Sequence, residues 1–151
     1  MDPFEIVDLG RTGLKVTKLG LGGAALGTAP SRLSDEEAVE TIRRALSLGV
    51  RYVDTAAYGE GRSELRYGEA LAGVPRESYV ISTKVGVVLK GEGGHDVDFD
   101  AIDLTNLPKL ESGFDFTRDA VLRAVETSLQ RLRLDRVDML FLHVVPEMYY
   151  Q

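Results

Sequence analysis

Three short apolar runs organise the chain, and each stops at a residue that a buried strand does not carry without compensation. Val50-Arg-Tyr-Val53 ends at Asp54, Tyr79-Val-Ile-Ser-Thr83 at Lys84, and Val137-Asp-Met-Leu-Phe-Leu142 at His143. β-Branched and aromatic residues suit a pleated, buried surface, whereas an unanswered charge there is costly. Between the runs the apolar period lengthens to that of a helix. Ser34-Asp-Glu-Glu37 has the form of a capping box and opens a helix to about Leu48, with Val39, Ile42 and Leu46 as its buried stripe and Gly49 as its stop. Ser63 to about Leu71 reads as a second helix. Thr117 is a cap for a third, which runs to about Leu134 with Val121, Leu122, Val125, Leu129 and Leu132 on one apolar face. Alternation of strand and helix in this order predicts an α/β fold of parallel strands joined by right-handed crossovers.

In such folds reacting groups gather at the C-terminal ends of the strands. Asp54 stands there, with Tyr58 following in a turn of Ala, Gly and Glu, and Lys84 and His143 end the two later runs. Each also has a plainer reading: Asp54 as a helix cap, Tyr58 as an amphipathic rim residue, Lys84 as a solvated strand-end charge, His143 as a satisfied core histidine. Ahead of them, Ile6-Val-Asp-Leu9 and Leu14-Lys-Val16 flank the turn Gly10-Arg-Thr-Gly13 and read as a hairpin. Lys18 to Leu21 begins the first core strand. Gly22-Gly23-Ala24-Ala25 then either lets the backbone approach a ligand or makes an ordinary tight turn. From Gly86 to Phe116 no period is sustained, which marks a functional loop or a floppy acidic insert. His95 inside it has no second His or Cys at ligand spacing and reads as a solvated loop histidine. Arg131, Arg133 and Arg136 sit where positive charge complements a helix dipole.

Charge and composition exclude several functions. A net charge of −6 and a pI near 5.0 argue against nucleic acid as a partner, since phosphate neutralisation needs clustered Lys and Arg. There is no Cys, hence no disulfide framework, thiolate metal site or cysteine nucleophile. No apolar stretch approaches the ~18 residues of a membrane span, and Met1-Asp-Pro-Phe4 lacks the basic start of a signal peptide. The expectation is a cytoplasmic protein with no membrane partner and no metal.

Taken together, Asp54, Tyr58, Lys84 and His143 resemble the catalytic tetrad of the aldo-keto reductases. Leu9-Gly-Arg-Thr-Gly-Leu-Lys-Val16, Leu19-Gly-Leu-Gly22, Gly61-Arg-Ser-Glu64 and Ser82-Thr-Lys-Val-Gly86 extend the resemblance along nearly the whole chain. Gly113-Phe-Asp-Phe-Thr117 followed by Ser128-Leu-Gln-Arg-Leu132 is similar to the branch that oxidises aldoses and pyridoxal. The fold so implied is a (β/α)8 TIM barrel. Such a barrel needs about 200 residues, so the 151 residues here correspond to one domain, the N-terminal half-barrel, ending after the fourth core strand. The hairpin would plug the barrel floor.

The activity implied is hydride transfer between NADP or NAD and an aldose or similar small carbonyl compound. Negative charge then develops on the carbonyl oxygen, so a proton donor must stand beside it. A free phenol is a weak acid, and a nearby ammonium favours its anion. The resemblance therefore gives Tyr58 the role of general acid/base, Lys84 that of its activator, Asp54 that of the lysine's anchor, and His143 that of orienting the carbonyl. Gly22, Gly23 and Asp54 would meet the nicotinamide end of the cofactor. One departure stands out: a single residue separates Asp54-Thr-Ala from Tyr58-Gly where the family pattern has two, a difference of up to ~3.3 Å of extended chain. The family also draws most contacts to the cofactor's ribose, pyrophosphate and adenine from the second half of the barrel, so the isolated chain is expected to be inactive. The alternative is a catalytically incompetent half-barrel that self-associates through its open edges or binds a partner. A phosphate-handling barrel is disfavoured, because such sites follow strands seven and eight.

Overall fold

A computed structural model describes residues 2–27, 33–89 and 113–143. Strands β1 (Ile6–Asp8) and β2 (Lys15–Thr17) pair antiparallel as the expected hairpin, its turn bounded by Gly10 and Gly13 at positive φ. Thr17 accepts from the Arg51 backbone N–H at 3.0 Å, which ties the hairpin to the residue leading into the Tyr52–Asp54 strand, at the end away from Asp54. Four parallel strands follow in spatial order β3 (Gly20–Gly22), β4 (Tyr52–Asp54), β5 (Val80–Val85) and β6 (Met139–Leu142). Helices α2 (Asp35–Ser47), α3 (Arg62–Ala70) and α4 (Arg118–Leu132) pack along one face of this sheet. This is the N-terminal part of a (β/α)8 barrel, as expected. His95, most of the Gly86–Phe116 stretch and Val144 to Pro146 lie outside the described residues. The two ends of that stretch are zipped by a Val87–Phe114 bridge, a closure its lack of period did not announce.

The period-2 geometry of the strands divides the chemistry cleanly. Val53 and Ile81 face the helices and join Val39, Ile42, Tyr67, Leu71 and Leu132 in the core, while the alternate residues Tyr52, Asp54, Ser82 and Lys84 meet one another on the opposite face. The capping box forms: Ser34 Oγ accepts from Glu37 N–H and the Glu37 carboxylate accepts from Ser34 N–H. At its other end α2 stops at Gly49, whose φ of +102° other residues rarely adopt.

Two expectations are corrected. Ala24–Gly27 is a one-turn helix, α1, where the sequence reads as loop. On α4 the buried line runs through Ala120, Ser128 and Leu132, while Leu122 is 45% exposed. The reason is close packing: a Cβ on Gly68 of α3 would lie 2.6 Å from the Arg131 carbonyl oxygen, so the helices meet through small residues and backbone near the end of α4.

Polar ties complete the outer layer. Glu64 on α3 is fully buried; its carboxylate accepts from Thr83 Oγ1 of β5 at 2.5 Å and from Arg131 Nε of α4 at 2.7 Å. Arg66, also buried, pairs with Asp35 and donates to the carbonyls of Leu26 and Leu33, clamping α1 and the approach to α2. Arg76 holds Asp138 at 2.8 Å while the same carboxylate accepts from Ile81 N–H, which sets β6 beside β5. Removing one partner of a buried pair strands the other's charge. Arg131→Met is therefore expected to cost about 3 kcal/mol in urea unfolding. Glu64→Gln, whose amide oxygen still accepts from Arg131 while its NH2 donates to a turned Thr83 hydroxyl, leaves only the partly exposed Arg131 charge without its counter-ion and should cost clearly less; equal losses would refute this account of the pair.

Candidate active site

Asp54 ends β4 and faces away from the helices. Its Oδ2 accepts from Lys84 Nζ at 2.6 Å and its Oδ1 from Ser82 Oγ at 2.6 Å. Both oxygens are thus engaged within the site, and α3 is capped by Gly61 with no side-chain bond, so the helix-cap reading of Asp54 does not hold. Lys84 is bound rather than solvated: its side chain is 15% exposed, and Nζ donates a second bond to the Thr55 carbonyl at 2.9 Å.

Tyr58 comes to this pair through a loop with unusual backbone. Gly59, Glu60 and Gly61 adopt φ of +61°, +58° and +86°, three left-handed residues in succession. The chain curls tightly there, with Gly61 N–H donating to Ala57 O and Ser63 N–H to Tyr58 O. Glycine is needed twice over: a Cβ on Gly59 would overlap the Gly27 carbonyl, and one on Gly27 would sit 2.8 Å from Tyr58 Cβ. Beneath the loop, Thr55 and Ser63 share a 2.7 Å hydrogen bond, and Ser63 Oγ donates to Gly23 O at 3.0 Å.

The result brings all four predicted side chains together. Lys84 Nζ lies 5.4 Å from the centre of the Tyr58 ring, and the Tyr58 and His143 rings meet edge to face at 5.3 Å. His143 is buried, and its backbone N–H donates to Val85 O at 2.8 Å. Burial foremost, and then the Lys84 charge, push its imidazole down to about 4, against a smaller opposing effect of Asp54. It is neutral at physiological pH.

The two glycines expected to meet a cofactor differ. Gly22 pairs in register with Asp54, and a Cβ there would meet nothing within 4 Å, which leaves open space beside the carboxylate. Gly23 is small for another reason: a Cβ would lie 2.5 Å from Ser63 Oγ and 2.9 Å from the Tyr67 ring. Among the described residues no cluster of His, Asp or Glu can hold a metal ion, and no helix is long and apolar enough to cross a membrane. Ser82 is the site's unforeseen member, and Glu64 that of the helix layer behind it. Both stand within motifs noticed in the sequence, yet nothing in their spacing told what they would bind.

Residues 18–150 match the profile described as the Aldo/keto reductase family. The chain is 34% identical over 146 residues to L-galactose dehydrogenase of Arabidopsis thaliana, covering 95% of this chain and 39% of that protein. It is 39% identical over 138 residues to D-threo-aldose 1-dehydrogenase of a Pseudomonas species, covering 87% and 41%. Among solved structures, an aldo-keto reductase from Bacillus halodurans in its holo form superposes with a TM-score of 0.73 at 31% identity, covering 92% of this chain and 40% of that one. The chain spans about two fifths of the length of these relatives.

The depressed His143 fixes a sign for pH dependence. Between about 4 and 6.5 the unfolded chain binds a proton that the folded one refuses, so this stabilisation is complete above pH 6.5 and is lost as pH falls through about 4. The stability lost between pH 7 and 4 should exceed that of a His143→Gln variant by roughly 2–3 kcal/mol, measured by urea unfolding at each pH. Parallel curves would contradict the buried, neutral imidazole.

Proposed function

This chain belongs to the aldo/keto reductase family, and on that footing we propose that it supplies the proton-transfer site of an oxidoreductase that moves hydride between NADP or NAD and an aldose or similar small carbonyl compound. The observation that carries this reading is the placement of a fixed cation beside a phenol: Lys84, anchored on Asp54 at 2.6 Å, stands 5.4 Å from the Tyr58 ring centre. When bound, the nicotinamide supplies or accepts the hydride. The open space over Gly22, next to Asp54, suits its approach, with the backbone at Gly22 and Gly23 and the Asp54 carboxylate as the groups that would meet it.

Tyr58 is the general acid. As the carbonyl carbon is reduced, its oxygen gains negative charge and takes the phenolic proton, and the Lys84 ammonium stabilises the charge left on the phenol oxygen. His143, neutral and against the Tyr58 ring, offers a ring N–H to the same carbonyl oxygen and orients it. In the oxidative direction the steps reverse and Tyr58 takes the proton of the sugar hydroxyl. The names of the two dehydrogenase relatives point to an aldose, and that of D-threo-aldose 1-dehydrogenase to oxidation at carbon one.

A second reading is favoured by β6. Leu140, Phe141 and Leu142 are 43%, 44% and 60% exposed on an edge strand of the described sheet. On this reading the chain as given pairs with a second copy along that edge, burying apolar surface and satisfying strand hydrogen bonds. A monomer by sedimentation at micromolar concentration would count against it.

The enzymatic reading is tested at the phenol. Tyr58→Phe keeps the ring packed on His143 and removes only the transferable proton. In a protein that carries the complete barrel it is expected to lower kcat at least a hundredfold while nicotinamide binding, followed by its fluorescence, is unchanged. Undiminished turnover would sink the assignment.

A further inference from the structure

The Asp54 carboxylate has a second tether that the tetrad does not include. We infer that Ser82, backed by Tyr52, is a positioning residue that holds Asp54 so that Lys84 keeps its ammonium next to Tyr58. For its catalytic consequence the inference rests on the role proposed above for Tyr58. Ser82 pairs in register with Asp54 across β4 and β5, is fully buried, and presents Oγ to Asp54 Oδ1 at 2.6 Å.

The direction of each bond follows from counting hydrogens. A carboxylate only accepts, so the single Ser82 hydrogen is committed to Asp54. At the 3.1 Å contact between Ser82 Oγ and Tyr52 Oη, the tyrosine must then be the donor. The result is a directed chain from the Tyr52 hydroxyl to the Ser82 hydroxyl to the Asp54 carboxylate, met from the other side by the Lys84 ammonium. Tyr52 is placed by a missing side chain: a Cβ on Gly20 would lie 2.8 Å from Tyr52 Cδ1, so the ring lies over that glycine. Three adjacent strands therefore set one carboxylate. The tether has work to do, because the Asp54 side chain is 28% exposed and solvent competes for its oxygens. Without the serine hydroxyl, Oδ1 turns to water, Oδ2 swings with it, and Lys84 retains only the Thr55 carbonyl.

The test reads the ammonium directly, in the 151-residue chain, through the 15N-labelled side-chain signal of Lys84, assigned by its loss in Lys84→Arg. Ser82→Ala is expected to speed hydrogen exchange of that ammonium about tenfold, and Ser82→Thr, which restores a hydroxyl, to return it most of the way. Tyr52→Phe, which keeps the ring over Gly20, should speed exchange about threefold in the parent and not at all in the Ser82→Ala background, the signature of action through the serine. In turnover assays of a protein that carries the complete barrel, Ser82→Ala should lower kcat about tenfold and leave KM within twofold, whereas a merely destabilised fold would change the melting temperature without this split. Exchange in Ser82→Ala within twofold of the parent, or equal effects of Tyr52→Phe in both backgrounds, would overturn the inference. The Tyr58→Phe assay decides the enzymatic reading separately, so either can fail while the other stands.

Discussion

A carboxylate at the end of a buried strand has to be answered by donors and by opposite charge, and much of this molecule follows from how Asp54 is answered. Parallel register puts Ser82 directly across from it, and the pleat brings Lys84, two residues further on, to the same face. Neither partner reaches Asp54 if β5 slips by one residue, since a slip of one turns every side chain to the other face. The ion pair and the core therefore demand the same register: Ile81 and Thr83 must face the helices for Ser82 and Lys84 to face Asp54. The packing of one face determines the chemistry of the other.

The helix side applies the same rule to a different charge. Glu64 is buried between α3, α4 and β5 and is answered by Arg131 and Thr83. Thr83 is the neighbour of Lys84, and Arg131 lies so close under the Tyr58 loop that a Cβ on Gly61 would sit 2.5 Å from its Cδ. The two layers thus meet at one small region of backbone, the left-handed run from Gly59 to Gly61. Glu60, the non-glycine member of that run, carries local strain of about 1 kcal/mol, which the surrounding bonds over-determine.

Much of this was legible in the sequence, wherever a local rule decides. Ser34 and Glu37 cap each other across three residues, Gly49 stops a helix, and Asp54, Lys84 and His143 stand out because they interrupt apolar runs. What was not legible depends on partners distant along the chain. Ser82 looks like any strand hydroxyl until Asp54 and Tyr52 are placed beside it, and Glu64 looks like a surface residue of an amphipathic helix until Arg131 closes over it. Helical period puts Leu122 on the buried face, because period alone cannot say how near the next helix comes. Gly68 lets the end of α4 approach so closely that Ser128 and Leu132 take the buried line there. Gly23 stands out in the sequence as a small residue, but the sequence does not tell that Ser63 and Tyr67 are the side chains that a Cβ there would meet.

The clamp of Asp138 on Ile81 and Arg76 has a meaning in loop-closure entropy. Strand order in space repeats strand order in the chain, so each strand adds to the free edge of those before it. Asp54 and Ser82 are 28 residues apart, whereas Ile81 and Asp138, which join the next pair, are 57 apart. Doubling the closed segment costs only about 0.6 kcal/mol more, and one charge-assisted hydrogen bond contributes roughly 1.5–3 kcal/mol. The most distant of these strand pairings is thus the one given an ionic latch at its point of entry. The long stretch between β5 and β6 can therefore vary in length at little cost to the register that places His143 beside Tyr58.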